Sequence, residues 1–145
     1  MKKVTNHIKL VTAMAWCISG AAIADEAPSC RADKLDGLYV FSATGYTIVA
    51  GVAQPKAITE LIRLNGDGTL TSPGATRSIN GVITQIRPVP PGIGTYTLGE
   101  DCIGTLAFTN GPSFDIFASP RGEDFWMIQT NPNNVLQGNV TRVSP

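Results

Sequence analysis

Glu60 is a carboxylate in an apolar, strand-like segment, and it is a candidate for proton transfer. It alternates with Ile58, Ile62 and Leu64, so these side chains share one face of a strand. Desolvation among aliphatic side chains raises the pKa of a carboxyl group and suits it to acid or base chemistry. The opposite face carries Leu61, so the pattern leaves open which face points inward. The alternative is a carboxylate at the strand end, paired with an arginine.

Asp115 and Arg142 are the other notable charged residues in apolar segments. Asp115 lies between Phe114 and Ile116, and either points inward as a second catalytic candidate or faces solvent in ordinary alternation. Arg142 belongs to the last apolar segment, and its guanidinium can stack on Tyr39 if the first and last strands meet. Arg142 is therefore interpreted as a structural latch or as an anchor for a ligand carboxylate.

Aromatic side chains recur in these segments and either line a pocket or fill an interior. Together with Arg142, four of them are candidates for binding an apolar small molecule: Tyr39, Phe41, Tyr96 and Phe108. The segment from Phe125 to Ile128 is apolar on both faces. This pattern indicates that part of the outer surface is covered by a loop or by another subunit, as in a homo-oligomer.

The first 24 residues have the organisation of a secretory signal peptide. Three lysines precede an apolar stretch from Leu10 to Ile23, and Ala22-Ile23-Ala24 forms a small-residue cleavage pattern before Asp25. The stretch is shorter than the ~20 residues that span hydrocarbon, which disfavours a retained membrane anchor. The sequence therefore predicts a signal peptide at residues 1–24, a single domain at residues 25–145, and a periplasmic or secreted location.

Removal of that segment limits the chemistry of the remaining chain. Three of the eleven basic residues lie in it, so eight remain against eleven acidic residues, and the strongly basic signature of a nucleic-acid-binding protein is absent. The single histidine, His7, is removed as well. Catalysis by a Ser-His-Asp or Cys-His arrangement and a histidine-ligated metal site are therefore excluded, and no cofactor is predicted.

Cys30 and Cys102 are the two cysteines of the predicted domain. An even pair in an exported chain predicts one disulfide, which would close a loop of roughly 70 residues and stabilise the fold by ~4 kcal/mol in the chain-entropy model. A redox or metal-binding pair is the weaker alternative, because two cysteines without histidine do not supply a tetrahedral ligand set.

The elements that must position these residues are short β-strands. Runs rich in β-branched and aromatic residues are separated by turn residues about every ten positions. The predicted strands are residues 37–43, 58–64, 69–72, 78–87, 94–98, 103–109, 113–118, 124–130 and 135–143. Because neighbouring strands form hairpins and no helix is predicted, the pattern favours a single antiparallel up-and-down barrel of about eight strands.

The turn signals are specific. Asn65-Gly66-Asp67-Gly68 predicts a hairpin, and Asn80-Gly81 marks another turn or a bulge. Prolines 88, 90 and 91 predict a loop at residues 87–92, because proline cannot donate to a central ladder. Residues 45–57 are small and apolar, and they are interpreted as a lid over the open end or as an excursion packed on the outer wall.

Several short motifs resemble small exported bacterial barrels of the allene oxide cyclase barrel-like, lipocalin-like superfamily. These are Gly37-Leu38-Tyr39-Val40-Phe41, the Asn65 to Thr69 hairpin, Gly94-Thr95-Tyr96-Thr97-Leu98 with Asp101-Cys102-Ile103-Gly104-Thr105-Leu106, and Gly138-Asn139-Val140-Thr141-Arg142. The resemblance implies an eight-stranded antiparallel barrel with a central cavity for an apolar small molecule. Some members are cyclases, but their catalytic residues do not match this chain position by position.

Three functional hypotheses follow. The first is a non-enzymatic barrel that binds an apolar small molecule or serves a structural role in the bacterial envelope, and the sparse ionisable side chains favour it. The second is a cofactor-independent cyclase or isomerase in which the cavity positions the substrate and Glu60 or Asp115 assists proton movement. The third is a module that interacts with another protein through its surface.

Overall fold

A computed structural model describes residues 29–87 and 92–145. They form one 3₁₀ helix and nine strands: Ala32–Leu35, followed by β1 (Asp36–Val49), β2 (Val52–Asn65), β3 (Thr69–Ile79), β4 (Val82–Ile86), β5 (Gly92–Leu98), β6 (Ile103–Phe108), β7 (Ser113–Ala118), β8 (Asp124–Gln129) and β9 (Asn134–Ser144). Within these two ranges, no helix has the length and apolarity needed to cross a bilayer. The predicted signal peptide, residues 1–24, lies outside them.

Eight of the strands close an antiparallel barrel, which confirms the predicted fold class. The ring is closed by pairing of β1 with β9 and of β2 with β3. β4 is the additional strand. It pairs with residues 75–79 of β3, and β5 pairs with residues 69–72 of the same strand, both antiparallel. β4 and β5 therefore lie one after the other along β3. Two short strands, β4 and β5, therefore form the part of the barrel wall that lies beside β3. Most of the predicted proline loop, residues 87–92, lies between them and outside the described residues.

The side chains of the core alternate along each strand and fill the barrel interior. Ile62 and Leu64 of β2 are fully buried, so the face that carries Glu60 points inward. This settles the orientation that the sequence pattern left open. The largest fully buried side chains are Tyr39, Phe41, Phe125, Leu35, Ile62, Leu64, Leu70, Leu106, Ile116, Met127, Leu136 and Val140.

Three predictions about strand extent were wrong. Residues 73–77 were predicted to lie between two strands, but they belong to β3. Residues 45–57 were left outside the predicted strands, but they form the outer part of one long hairpin, in which β1 and β2 pair continuously from Asp36 with Asn65 to Val49 with Val52. Residues 78–87 are not a single strand, because the chain turns at Asn80 and Gly81, whose φ angles are 48° and 81°. Ladder hydrogen bonds hold the outer part of this hairpin although its large apolar side chains, such as Tyr46, Val49 and Val52, are exposed, so no buried face marks it as a pair of strands.

The two cysteines predicted to pair lie at disulfide-bonding distance. The Sγ atoms of Cys30 and Cys102 are 2.00 Å apart across a sequence separation of 72. Cys30 is 2% exposed, and its backbone amide donates to the Glu100 carbonyl at 3.1 Å. The cysteine pair therefore ties the chain before the 3₁₀ helix to the turn between β5 and β6.

The end of the barrel near the 3₁₀ helix is closed by the predicted contact between Arg142 and Tyr39. The Tyr39 hydroxyl donates to the Gly122 carbonyl at 2.7 Å and accepts hydrogen bonds from Nε and Nη2 of Arg142 at 3.0 and 2.8 Å. The same Nη2 atom donates to the Lys34 carbonyl, and the guanidinium carbon lies 5.3 Å from the centre of the Tyr39 ring. This geometry is that of a structural latch.

Arg142→Ala is expected to lower the free energy of unfolding by about 2–3 kcal/mol, because it removes charge-assisted hydrogen bonds from a buried hydroxyl and a backbone carbonyl. Urea denaturation followed by circular dichroism measures the change. Arg121→Ala is the matched control, because Arg121 is exposed in the loop before β8. Equal unfolding midpoints for the two variants would contradict the latch.

Candidate functional site

A cavity of about 200 Å³ lies at the other end of the barrel from Arg142. Its walls combine two kinds of side chain. The apolar residues are Ile58, Ala75, Ile86, Phe108, Pro112, Phe114 and Leu136. The polar residues are Lys56, Glu60, Ser72, Arg77 and Gln129. The cavity is therefore mostly apolar and carries a few polar groups, which is the usual composition of a small-molecule site.

A bulge in β3 brings three of these residues to the cavity. Two steps along β2 match three steps along β3 near Pro73, so the ladder register shifts there. Before the bulge, the even-numbered residues of β3, Leu70 and Ser72, point into the barrel. After it, the odd-numbered residues, Ala75 and Arg77, point inward. Ser72, Ala75 and Arg77 consequently share the inner face, and the small side chains of Ser72 and Ala75 leave space that a larger residue would occupy.

Glu60 lies in this cavity and is hydrogen-bonded to a buried serine. The Ser72 hydroxyl donates to Oε1 of Glu60 at 2.6 Å, and Ser72 is 5% exposed. Burial raises the pKa of the Glu60 carboxyl above its ordinary value, and the hydrogen bond from Ser72 opposes that rise. A carboxyl group of this kind accepts a hydrogen bond from a ligand when it is ionised and donates one when it is protonated. It can also transfer a proton to or from a ligand.

The shift predicts how stability depends on pH. Because the folded protein holds the Glu60 proton more strongly than the unfolded chain, the contribution of this group to stability is fully present below its ordinary pKa of 4.5. That contribution is lost as the pH rises from 4.5 through the higher pKa of the folded state. Glu60→Gln is therefore expected to gain stability relative to the wild type over that interval.

Urea denaturation of both proteins at a series of pH values measures this difference, and the effects of the other carboxylates cancel in the comparison. A difference in unfolding free energy that stays constant with pH would contradict a raised pKa for Glu60.

A polar bridge crosses the mouth of the cavity. Nζ of Lys56 donates to the side-chain oxygens of Gln129 at 3.1 Å and of Asn134 at 3.2 Å. Gly45 lies opposite Lys56 in the β1–β2 ladder and has no side chain, so Lys56 can reach across β1 to these partners. The pKa of Lys56 lies below its ordinary value, because burial disfavours the ammonium charge and because the Arg77 charge repels it.

The structure separates the residues that the sequence singled out. Phe108 lines the cavity with Glu60. Tyr39, Phe41 and Tyr96 are buried in the core below the cavity, where Phe41 packs edge-on against Phe114 at 5.7 Å and the Tyr96 hydroxyl donates to the Ala32 carbonyl at 3.2 Å. Asp115 lies on the outer face of β7, between the inward-facing Phe114 and Ile116, and is not in the cavity.

Sequence reasoning missed Lys56, Ser72, Arg77 and Gln129 as cavity residues. Pro73-Gly74 was the available signal, because a proline-glycine pair marks either a break between two strands, as the sequence predicted, or a bulge within one strand, as in β3. Lys56 and Gln129 had no comparable signal. They lie 73 positions apart, and only closure of the barrel brings them together.

Comparison with known proteins gives no relative: no family model matches the chain, and no curated protein or solved structure is detectably similar. The barrel itself agrees with the architecture that the motif resemblance implied.

Proposed function

We propose that this protein binds a small, mostly apolar molecule in the open end of its barrel. The observation that carries the proposal is a cavity of about 200 Å³ with apolar walls and a hydrogen-bonded Glu60–Ser72 pair facing into it. A cavity of about 150 Å³ in another protein holds benzene, so this volume suits a single ring or a short branched chain. The Glu60–Ser72 pair offers that ligand one polar contact.

Filling the cavity is expected to prevent binding. Ala75→Leu places a larger side chain at a cavity position that is 4% exposed, whereas Thr76→Leu changes the adjacent, exposed residue and is the matched control. Native mass spectrometry of protein purified from its own host detects a bound small molecule. We expect the wild type and the control to carry the ligand. The ligand-bound fraction of Ala75→Leu should be lower by at least about tenfold. Equal retention by both variants would contradict the cavity as the binding site.

The second candidate function is a cofactor-independent isomerase or cyclase. Its specific support is the inward position of Glu60, whose raised pKa suits proton transfer inside an apolar cavity. The resemblance to allene oxide cyclase-like barrels is a further, weaker support, since the catalytic residues of those enzymes do not map onto this chain. Proton exchange between a co-purified ligand and D₂O, followed by NMR, tests the idea. Glu60→Gln should stop exchange while the ligand still binds, and unchanged exchange would exclude Glu60.

Export is part of the same proposal. A basic and apolar segment at residues 1–24 and a cysteine pair at bonding distance both support an exported protein. Mass spectrometry of the protein from its host should find a chain that begins at Asp25, and a chain that retains Met1 would contradict cleavage.

The structural role in the envelope, the protein-interaction module and the homo-oligomer stay predictions. The exposed apolar residues of the outer wall support the last two. Trp126 is 53% exposed on β8 and lies beside Phe117 of β7, which is 44% exposed. Sedimentation velocity of the purified protein distinguishes a monomer from an oligomer.

A further inference from the structure

We infer that the ligand of this cavity carries a carboxylate, which Arg77 and Lys56 hold at the mouth while the apolar body enters the barrel. This inference rests on the proposed binding function and names the chemical class of the ligand. It concerns the cationic rim of the site, whereas the binding function itself rests on the apolar walls and on the Glu60–Ser72 pair.

The strand register places the charged groups in order along the inner face. Arg77 lies directly opposite Ile58 in the β2–β3 ladder. Lys56 and Glu60 stand two positions on either side of Ile58 on the same face, so both are diagonal neighbours of Arg77, a separation that long side chains span. The two cations therefore lie toward the mouth, and the carboxyl group of Glu60 lies deeper, beside Ser72.

Neither cation has an anionic partner within the part of the chain that the structure describes. The two ion pairs found there join Arg31 to Asp33 and Arg63 to Asp36. Lys56 contacts only neutral amide oxygens. Nε of Arg77 is buried and has no hydrogen-bond partner among the described residues. A buried donor without a partner is costly, so a ligand acceptor that draws this edge of the guanidinium round into the cavity gains affinity.

The geometry of Arg77 favours a carboxylate over other acceptors. Nε and one Nη atom of a guanidinium form a planar edge that matches the two oxygens of a carboxylate. An anion at this point also relieves the repulsion between Arg77 and Lys56, which contributes to the lowered pKa of Lys56. The small cavity restricts the acid to one ring or a short branched chain, and an extended fatty acid would exceed it.

Benzoate and benzamide are a matched pair of probes, because they have the same shape and differ in charge. We expect an NMR titration of the wild-type protein to show benzoate binding at least about tenfold more tightly than benzamide. Arg77→Gln should remove that preference and leave the affinity for benzamide within about twofold. Arg77→Lys keeps the charge but loses the planar edge, so it should retain only part of the preference, and it provides the test if Arg77→Gln does not fold.

Arg87→Gln is the control for a general effect of net charge, because Arg87 is an exposed arginine close to the same wall. It should keep the preference of the wild type. Benzamide binding as tightly as benzoate would overturn the carboxylate inference and leave the proposed binding function standing. Failure of both probes to bind would overturn the binding function for ligands of this size, and the inference with it.

Discussion

Gly138→Ala is expected to prevent normal closure of the barrel and to lower the free energy of unfolding by more than about 3 kcal/mol. A Cβ atom at position 138 would lie 2.0 Å from the Ser42 carbonyl oxygen and 2.6 Å from Cα of Ala43. Both are backbone atoms, so no side-chain rotation relieves the overlap, and strands β1 and β9 must separate. Overpacking in a dense interior typically costs about 1–3 kcal/mol, and a clash with backbone on two atoms exceeds that range.

The position matters because β1 and β9 form the seam that joins the first and last strands of the chain. Gly138 lies opposite Ala43 in that ladder, and a Cβ at Gly45 would likewise lie 1.8 Å from the carbonyl oxygen of Val135. Glycines at such points allow the strong bending that a small barrel requires. The seam therefore depends on the absence of side chains at two positions.

Urea denaturation monitored by far-ultraviolet circular dichroism measures the effect of Gly138→Ala. Asn139→Ala is the matched control, because Asn139 is the next residue in β9 and is exposed. The control should unfold within about 0.5 kcal/mol of the wild type. Similar midpoints for Gly138→Ala and the control would show that the seam tolerates a side chain and would contradict the close approach.

Replacement of both cysteines by alanine is expected to cost about 4 kcal/mol of unfolding free energy. In the chain-entropy model the cost of removing a crosslink grows with the loop it closes, and the separation here is 72 residues. In a chain that begins at Asp25 the double substitution leaves no free thiol to form a wrong pair, because the third cysteine, Cys17, lies in the predicted signal peptide. Because the Cys30 side of the crosslink precedes the 3₁₀ helix, its loss also loosens Leu35, which is 0% exposed under the closed end.

Chemical denaturation of the oxidised wild type, the reduced wild type and the double variant measures this cost. Reduction should lower the midpoint of the wild type to that of the variant and should leave the variant unchanged. A midpoint that does not respond to reductant would mean that the crosslink contributes nothing to the folded state.

Much of the fold was predictable because antiparallel barrels are assembled from local units. The hairpin at Asn65-Gly66-Asp67-Gly68 was predicted because these residues tolerate positive φ, and Gly66 and Gly68 have φ angles of 73° and 90°. The long β1–β2 hairpin was not predicted in full. Its outer half is held by ladder hydrogen bonds on either side of the Ala50-Gly51 turn, and its apolar side chains are exposed, so no buried face marks it in the sequence.

The candidate site was predictable only in part. Glu60 was identified because a carboxylate among aliphatic residues is unusual, and Phe108 because aromatic residues tend to line or fill barrels. Arg77 was missed because residues 73–77 were predicted to lie between two strands, whereas β3 continues through them and the bulge near Pro73 turns Arg77 inward. Ser72 was missed because a serine at the end of a predicted strand gives no sign of burial. A shift of one residue moves every later side chain of a strand to the other face, so a small local feature rearranges the site.

The sequence by itself determined the strand rhythm, the turns, the paired cysteines and the absence of histidine from residues 25–145. These properties depend on residue type and on spacing over a few positions. The tertiary structure decided which face of β2 is inside, which end of the barrel is closed by Arg142, and which end holds the cavity. Period-two alternation cannot distinguish two partly apolar faces. Inside and outside are defined only when β1 meets β9 and β2 meets β3 around a common core.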